Sequence, residues 1–241
     1  MKTRLRIQGQ TASFVVSEAD PLFHEALRGL AFQQDAEEFA RSFPAETPDL
    51  ESIYKYFTDS LASIPRQKVQ LEPVNWEHIL GAFLERAAAH MSDWYLVGSA
   101  ALAVRGLDVQ PGDVDLVTSE RDAETLDELF RNERIEPLQR TDGWIWSRFG
   151  RAFPGGRLEW VGGVNARADT PRPCDFGLTA AARLETVAWR GAAIRVPPLD
   201  LQLAVSERRG LQQRADQIRQ CLQDAHQNGT ALQEGASSVV G

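Results

Sequence analysis

The chain opens on two short runs in which apolar and polar residues alternate, TRLRIQ at 3–8 and ASFVVS at 12–17, on either side of Gly9-Gln10-Thr11. A period of two predicts strands, and the glycine turn joins them as a hairpin. From Asp20-Pro21 the period lengthens: Leu22, Phe23, Leu27, Leu30, Ala31 and Phe32 recur at helical spacing, with 35–43 read as a looser continuation that Pro44 ends. A further amphipathic helix is predicted over 48–64, with Leu50, Ile53, Tyr54, Phe57 and Leu61 on one face, stopping before Pro65. Residues 66–74 lack periodicity and carry Pro73, which places a linker there. Asn75 then caps a helix whose apolar face is Trp76, Ile79, Leu80, Phe83, Leu84, Ala87 and Ala88, with Val74 and Ile79 as a hydrophobic staple.

Residues 94–120 hold the densest pattern. The apolar run Trp94 to Val97 ends at Gly98-Ser99, passes into small residues at helical spacing, and returns as an apolar strand interrupted by Asp113 and Asp115. Ser119 and Asp122 read as a capping box for a helix of about ten residues. Further strands are predicted over 135–139, 144–153 and 157–164, broken by Gly143 and by Pro154-Gly155-Gly156. A pair of short strands over 183–196 turns at Arg190-Gly191, and helices follow over 199–208 and 210–224. The Gly-, Ser-, Ala- and Gln-rich tail from Gln227 is expected to be disordered. The fold class expected is α+β, a mixed sheet flanked by helices. Its division is a small hairpin-plus-helices domain at 1–68, a main domain at 75–226 with closing helices, and a tail at 227–241.

Composition narrows the chemistry. At 241 residues, 43% hydrophobic and 25% charged, the chain can bury a real core, and a formal charge of −8 argues against a protein that mainly coats nucleic acid. There is no apolar run of membrane-spanning length and no signal-peptide core, so the expectation is a cytoplasmic protein without a membrane partner. Cys174, Cys221 and the four histidines show no ligand spacing and are read as structural. Lysine occurs only at Lys2, Lys55 and Lys68. Nothing later can supply a lysine nucleophile or a phosphate-loop lysine, so positive charge there is arginine alone.

The candidate chemistry follows from strand geometry. Asp113 and Asp115 project to one side of their strand, roughly 6.6 Å apart at Cα, close enough for their oxygens to share a hard divalent cation. Solvent-facing strand carboxylates are the alternative. Gly98 lets the backbone approach a ligand, and the helix it opens offers amides to an anion. On the strand at 157–164, Leu158 and Trp160 take one face while Arg157, Glu159 and Val161 take the other. Glu159 is thus an acid inside an apolar strand, with an edge carboxylate facing water as the alternative.

Residues 96–118, LVGSAALAVRGLDVQPGDVDLVT, resemble the signature of the nucleotidyltransferase superfamily with the polymerase-beta-like fold: an apolar residue, Gly-Ser, about a dozen residues, then Asp-apolar-Asp-apolar. The resemblance covers roughly 75–225, and the layout is most like stand-alone bacterial antibiotic and toxin-type nucleotidyltransferases. Arg157 to Val161 resembles the strand with the third family carboxylate, and 197–218 the closing helices. The resemblance implies an enzyme that moves a nucleoside monophosphate from an NTP to a hydroxyl and releases pyrophosphate. It gives Asp113, Asp115 and Glu159 the roles of binding Mg2+ (or Mn2+), with Glu159 or Asp115 as general base, and gives Gly98 and Ser99 the phosphates. Arg105 and Arg208 stand where side-chain phosphate contacts are sought, surface arginines being the alternative. Two departures stand out: Gln110-Pro111-Gly112 replaces the serine that often precedes the first aspartate, and the closing helices carry no lysine. Three readings of function follow. The acceptor is a small molecule such as an antibiotic; or it is tRNA or protein, as for transferases of toxin–antitoxin pairs, with 1–68 recognising an acceptor or partner protein; or the chain is a degenerate transferase fold that binds nucleotide or a partner without turnover.

Overall fold

The structure is a computed structural model, and it describes residues 1–237. The hairpin forms as the alternation requires: β1 (Lys2–Gln8) and β2 (Thr11–Ser17) pair antiparallel from Lys2↔Ser17 to Gln8↔Thr11. Helix α1 (His24–Gly29) follows. The chain then departs from expectation. In place of helix over 35–43, β3 (Gln33–Asp35) and β4 (Glu38–Pro44) form a second hairpin and complete a sheet of order β1-β2-β4-β3. The reason is the period: Phe39, Arg41 and Phe43 are buried while Ala40 and Ser42 are not, an alternation that no helix can keep on one face. An arginine at the middle inward position hides that period from a reading of apolar residues.

Helix α2 (Leu50–Ser60) covers the sheet with Leu50, Ile53 and Phe57, the Phe57 ring stacking on Phe14 and on Phe32 with centroids 5.5 Å away in each case. Pro65 does not stop a helix; it sits in the first turn of α3 (Ile64–Lys68), where its missing amide would have had no partner. The aromatic core of Phe14, Phe39, Phe57 and Ile64 also takes in Ile135 and Phe153. Tyr56 Oη donates to the Phe153 carbonyl at 2.9 Å and Gln67 Nε2 to that of Gly155 at 3.1 Å. Residues 66–74 accordingly lie within one compact unit, formed by Met1–Trp94 with Pro111–Gly163. The second unit is Tyr95–Gln110 with Val164–Gly241.

In the first unit Asn75 caps α4 (Trp76–Arg86), its Oδ1 accepting from the His78 amide at 3.2 Å. The Phe83 ring meets the edge of Trp94 at 4.7 Å. Strand β5 (Trp94–Val97) carries the chain out of this unit, α5 (Gly98–Ala103) lies in the second, and the chain returns for β6 (Val114–Thr118). Ser119 Oγ caps α6 (Glu120–Leu129) by accepting from the Asp122 amide at 3.0 Å, and the buried Asp122 carboxylate accepts from the Asp93 amide at 3.1 Å. The strands that follow are shorter than expected: β7 (Gln139–Arg140), β8 (Arg148–Ala152) and β9 (Leu158–Gly162). Here β6 pairs parallel with β9, which pairs antiparallel with β8, and β8 with β7. One sheet face, Val114, Leu116, Leu158 and Trp160, is buried, with Trp160 Nε1 donating to the Ala123 carbonyl of α6 at 3.1 Å.

The second unit contains α7 (Leu178–Ala181), the antiparallel pair β10 (Glu185–Trp189) and β11 (Ala192–Val196) around Arg190-Gly191 as expected, α8 (Leu199–Arg208), and α9 (Gln212–Ser237). Helix α9 extends past Gln227, where a disordered tail is expected, and 238–241 lie outside the described residues. Among the described residues no helix is long and apolar enough to cross a membrane. The fold class is α+β, as expected.

One glycine in this sheet has a steric duty. A Cβ on Gly150 of β8 would lie 2.1 Å from the Trp160 ring. Gly150→Ala is expected to lower unfolding stability by roughly 1–3 kcal/mol through overpacking, measured by urea denaturation against the unsubstituted chain.

Candidate active site

The parallel pairing of β6 with β9 sets the candidate site. Asp115 is register partner to Glu159, and one step earlier the Val114 amide donates to the Arg157 carbonyl at 3.0 Å, so Asp113 flanks Arg157. Because side chains alternate, Asp113, Asp115, Arg157 and Glu159 share the face opposite the buried Leu116 and Trp160. Both aspartates are half-buried and Glu159 is 17% exposed. Sheet register brings the three predicted carboxylates together.

Sequence reasoning missed what holds them. Arg157 Nη1 donates to Glu159 Oε1 at 3.0 Å while Nη2 pairs with Asp113 Oδ2, so one guanidinium spans carboxylates from two strands. Arg151 Nε of β8 donates to the same Glu159 Oε1 at 2.8 Å, and its Nη1 to Glu136 Oε2 at 2.8 Å. Glu136 in turn pairs with Arg41 of β4, whose Nη2 donates to Oε1 at 2.9 Å. The result is an alternating chain, Arg41–Glu136–Arg151–Glu159–Arg157–Asp113, whose first five side chains are all less than one-fifth exposed. Burial works to raise the Glu159 pKa, yet the Arg151 and Arg157 charges hold it below the usual carboxylate range. Burial lowers the Arg41 pKa, Glu136 opposing. The signal in the sequence was a charged residue inside each strand-like apolar run: Arg41 between Phe39 and Phe43, Arg151 between Phe149 and Phe153, Glu136 after Ile135.

The other predicted residues lie in the second unit. Gly98 takes φ +66, a left-handed conformation that favours glycine, at the start of α5, and Ser99 beside it is buried. The Gly98 carbonyl accepts from Gln202 Nε2 of α8 at 3.1 Å. Burial pushes the Asp175 pKa up, against the pull of its own amide, of Arg209 and of the Gly98 amide. Gln202 is itself buried, with Oε1 lacking a hydrogen-bond partner among the described residues. Arg105 is not a loose surface arginine: its Nη2 pairs with Glu185 at 2.5 Å and donates to the Pro197 carbonyl at 2.9 Å. Arg208 is exposed in the last turn of α8.

No protein-family model and no curated protein matches the chain. A solved structure does. It is that of a Thermotoga maritima protein provisionally assigned as a nucleotidyltransferase, similar over 62% of this chain and 93% of that one, with a TM-score of 0.46 and 19% identity.

The donor set fits a divalent ion only in part. Asp115 on β6 and Asp113 just ahead of it offer the hard oxygen donors that Mg2+ takes, since Mg2+ is usually bound by one or two carboxylates and completed by water and substrate phosphates. Glu159 is committed to two arginines, and among the described residues no group of three or more His, Cys, Asp or Glu side chains could hold a metal ion. Asp113 is likewise paired with Arg157, so an ion would compete with that guanidinium for it.

The charge chain makes a stability prediction. Glu159→Gln leaves Arg151 and Arg157 buried beside a neutral amide and is expected to cost about 3–5 kcal/mol at pH 7. A carboxylate held below its unfolded pKa contributes stability fully above that value and loses it as pH falls through the folded one. The gap between wild type and variant should thus be flat at neutral pH and narrow once pH drops below about 4.3, read by denaturant unfolding across pH.

Proposed function

We propose that the chain is a nucleotidyltransferase that moves a nucleoside monophosphate from an NTP to an acceptor hydroxyl, releasing pyrophosphate. The observation that carries this reading is the register of β6 on β9, with Asp115 opposite Glu159 and Asp113 on the same face, in a chain with a Gly-Ser turn at the superfamily's spacing ahead of it. Asp113 and Asp115 would hold Mg2+ (or Mn2+), which when bound neutralises charge developing on the phosphates. Asp115 is the better general base, because Glu159 is held ionised by Arg151 and Arg157 and is correspondingly weak as a base. Glu159 instead fixes Arg157, and through it Asp113. By the same resemblance Gly98 and Ser99 receive the triphosphate. The acceptor is a small molecule, an RNA end or a protein, with residues 1–68 as the place for acceptor or partner recognition.

A second reading is a nucleotide- or partner-binding module without turnover. One observation favours it: Arg157 already spans Asp113 and Glu159.

Incubating the protein with each labelled NTP, Mg2+ and cell lysate, then locating the label in small molecules, RNA or protein, separates the two. Transfer is expected, and Asp113→Asn and Asp115→Asn should each reduce it at least ~100-fold with the circular dichroism spectrum unchanged. Undiminished labelling by either variant would sink the assignment of that aspartate, and no labelling by wild type would favour the binding module.

A further inference from the structure

We propose that the outer edge of β1 is a docking strand for another protein, and that its occupant is an extended segment in which acidic and apolar residues alternate. The inference rests on the recognition role given to residues 1–68 above and names the surface and the partner chemistry; its test needs neither nucleotide nor transfer.

The N-terminal sheet, of order β1-β2-β4-β3, ends in two unlike edges. The β3 edge is three residues long, which blunts it. The β1 edge runs for seven residues, with an unbroken register on β2 and without proline. Gln8 and Thr11 flank a two-residue turn in which Gly9 takes φ +58, so this pair exchanges both of its ladder hydrogen bonds. By alternation Arg6, Arg4 and Lys2 also turn their backbone groups to β2, and the amides and carbonyls of Thr3, Leu5 and Ile7 point outward. Pro44 of β4 agrees with this phase: it stands opposite Thr11, whose groups are turned the other way, so its missing amide costs nothing. Among the described residues no strand pairs with the outer side of β1.

The two faces of the edge specify the occupant. Thr3, Leu5 and Ile7 lie opposite the buried Val16, Phe14 and Ala12, and Ile7 is 57% exposed beyond them. An added strand would cover Ile7 with every second side chain. On the other face Lys2, Arg4 and Arg6 form a cationic row, each more than one-third exposed. Lys2 pairs with Glu18, while Arg4 and Arg6 share Glu38, so three cations meet two carboxylates. Ion pairs so exposed contribute little, and a carboxylate on an added strand displaces them at small cost. A second copy is disfavoured by the same row: antiparallel pairing centred on Leu5 sets Arg4 of one copy against Arg6 of the other, and like charges directly opposite destabilise a strand pair.

The test is fluorescence anisotropy of labelled octapeptides titrated with the full chain at low salt. A peptide of alternating glutamate and valine is expected to bind, and one of alternating lysine and valine is not. Methylating alternate backbone nitrogens of the glutamate peptide removes its donors, keeps its charge, and should abolish binding. Arg4→Glu combined with Arg6→Glu should weaken the glutamate peptide at least ~10-fold and admit the lysine peptide; if that form fails to fold, Arg4→Gln with Arg6→Gln should show the loss without the gain. No binding of the glutamate peptide, equal binding of both peptides, or binding untouched by N-methylation or by the arginine substitutions overturns the proposal. A wild-type dimer in sedimentation that the glutamate peptide dissociates would give the edge to a second copy and overturn it as well. Failure of nucleotide transfer leaves these outcomes as they stand, so the two readings are judged separately.

Discussion

Three arginines buried in a sheet are what the first unit is built around. Arg41, Arg151 and Arg157 are each nine-tenths buried, and a guanidinium in that position is tolerated only if carboxylates meet it at close range with good geometry. The chain solves this by alternation: each arginine except the first lies between two acids, and Glu136 and Glu159 each lie between two arginines. Phe43 and Phe149 lie against the guanidinium groups of Arg41 and Arg151, at 5.5 and 4.9 Å from their ring centroids. Such an array contributes less stability than an apolar core of the same volume, yet it punishes any wrong register, because a one-residue slip would leave several charges buried alone. Specificity of strand register is its best-supported structural consequence here.

That array explains which parts of the fold could be read from the chain. Elements whose inward positions are apolar were legible: the β1–β2 hairpin, the Asn75-capped helix, the Ser119-capped helix, and the turn at Arg190-Gly191. The segment at 35–43 was not, because its inward triad is Phe39-Arg41-Phe43 and an arginine reads as surface until its partner is known. Pro65 misled for a similar reason: proline ends one helix or begins the next, and only the packing of Ile64 decides. The division of the chain was hidden altogether, since Ile135 and Phe153 join the N-terminal aromatic core from far along the sequence.

The placement of the three acids was legible and that of their counter-charges was not. Period two along a strand suffices to put Asp113 and Asp115 on one face, and Glu159 among apolar neighbours invited attention. Register between strands carries no sequence signature, so that Asp115 stands opposite Glu159, and Arg157 beside Asp113, emerges only from the folded sheet. The same holds in the second unit, where Gln202 comes from a distant segment to meet the Gly98 carbonyl.

The pairing of Arg41 with Glu136 spans 95 residues of sequence, and this bears on how the molecule is made. At the usual pace of translation the second partner emerges on the order of 10 s after the first. Throughout that interval the N-terminal sheet has neither the counter-charge for Arg41 nor the Ile135 and Phe153 side chains that close its core. The N-terminal core is complete only once Phe153 has been synthesised.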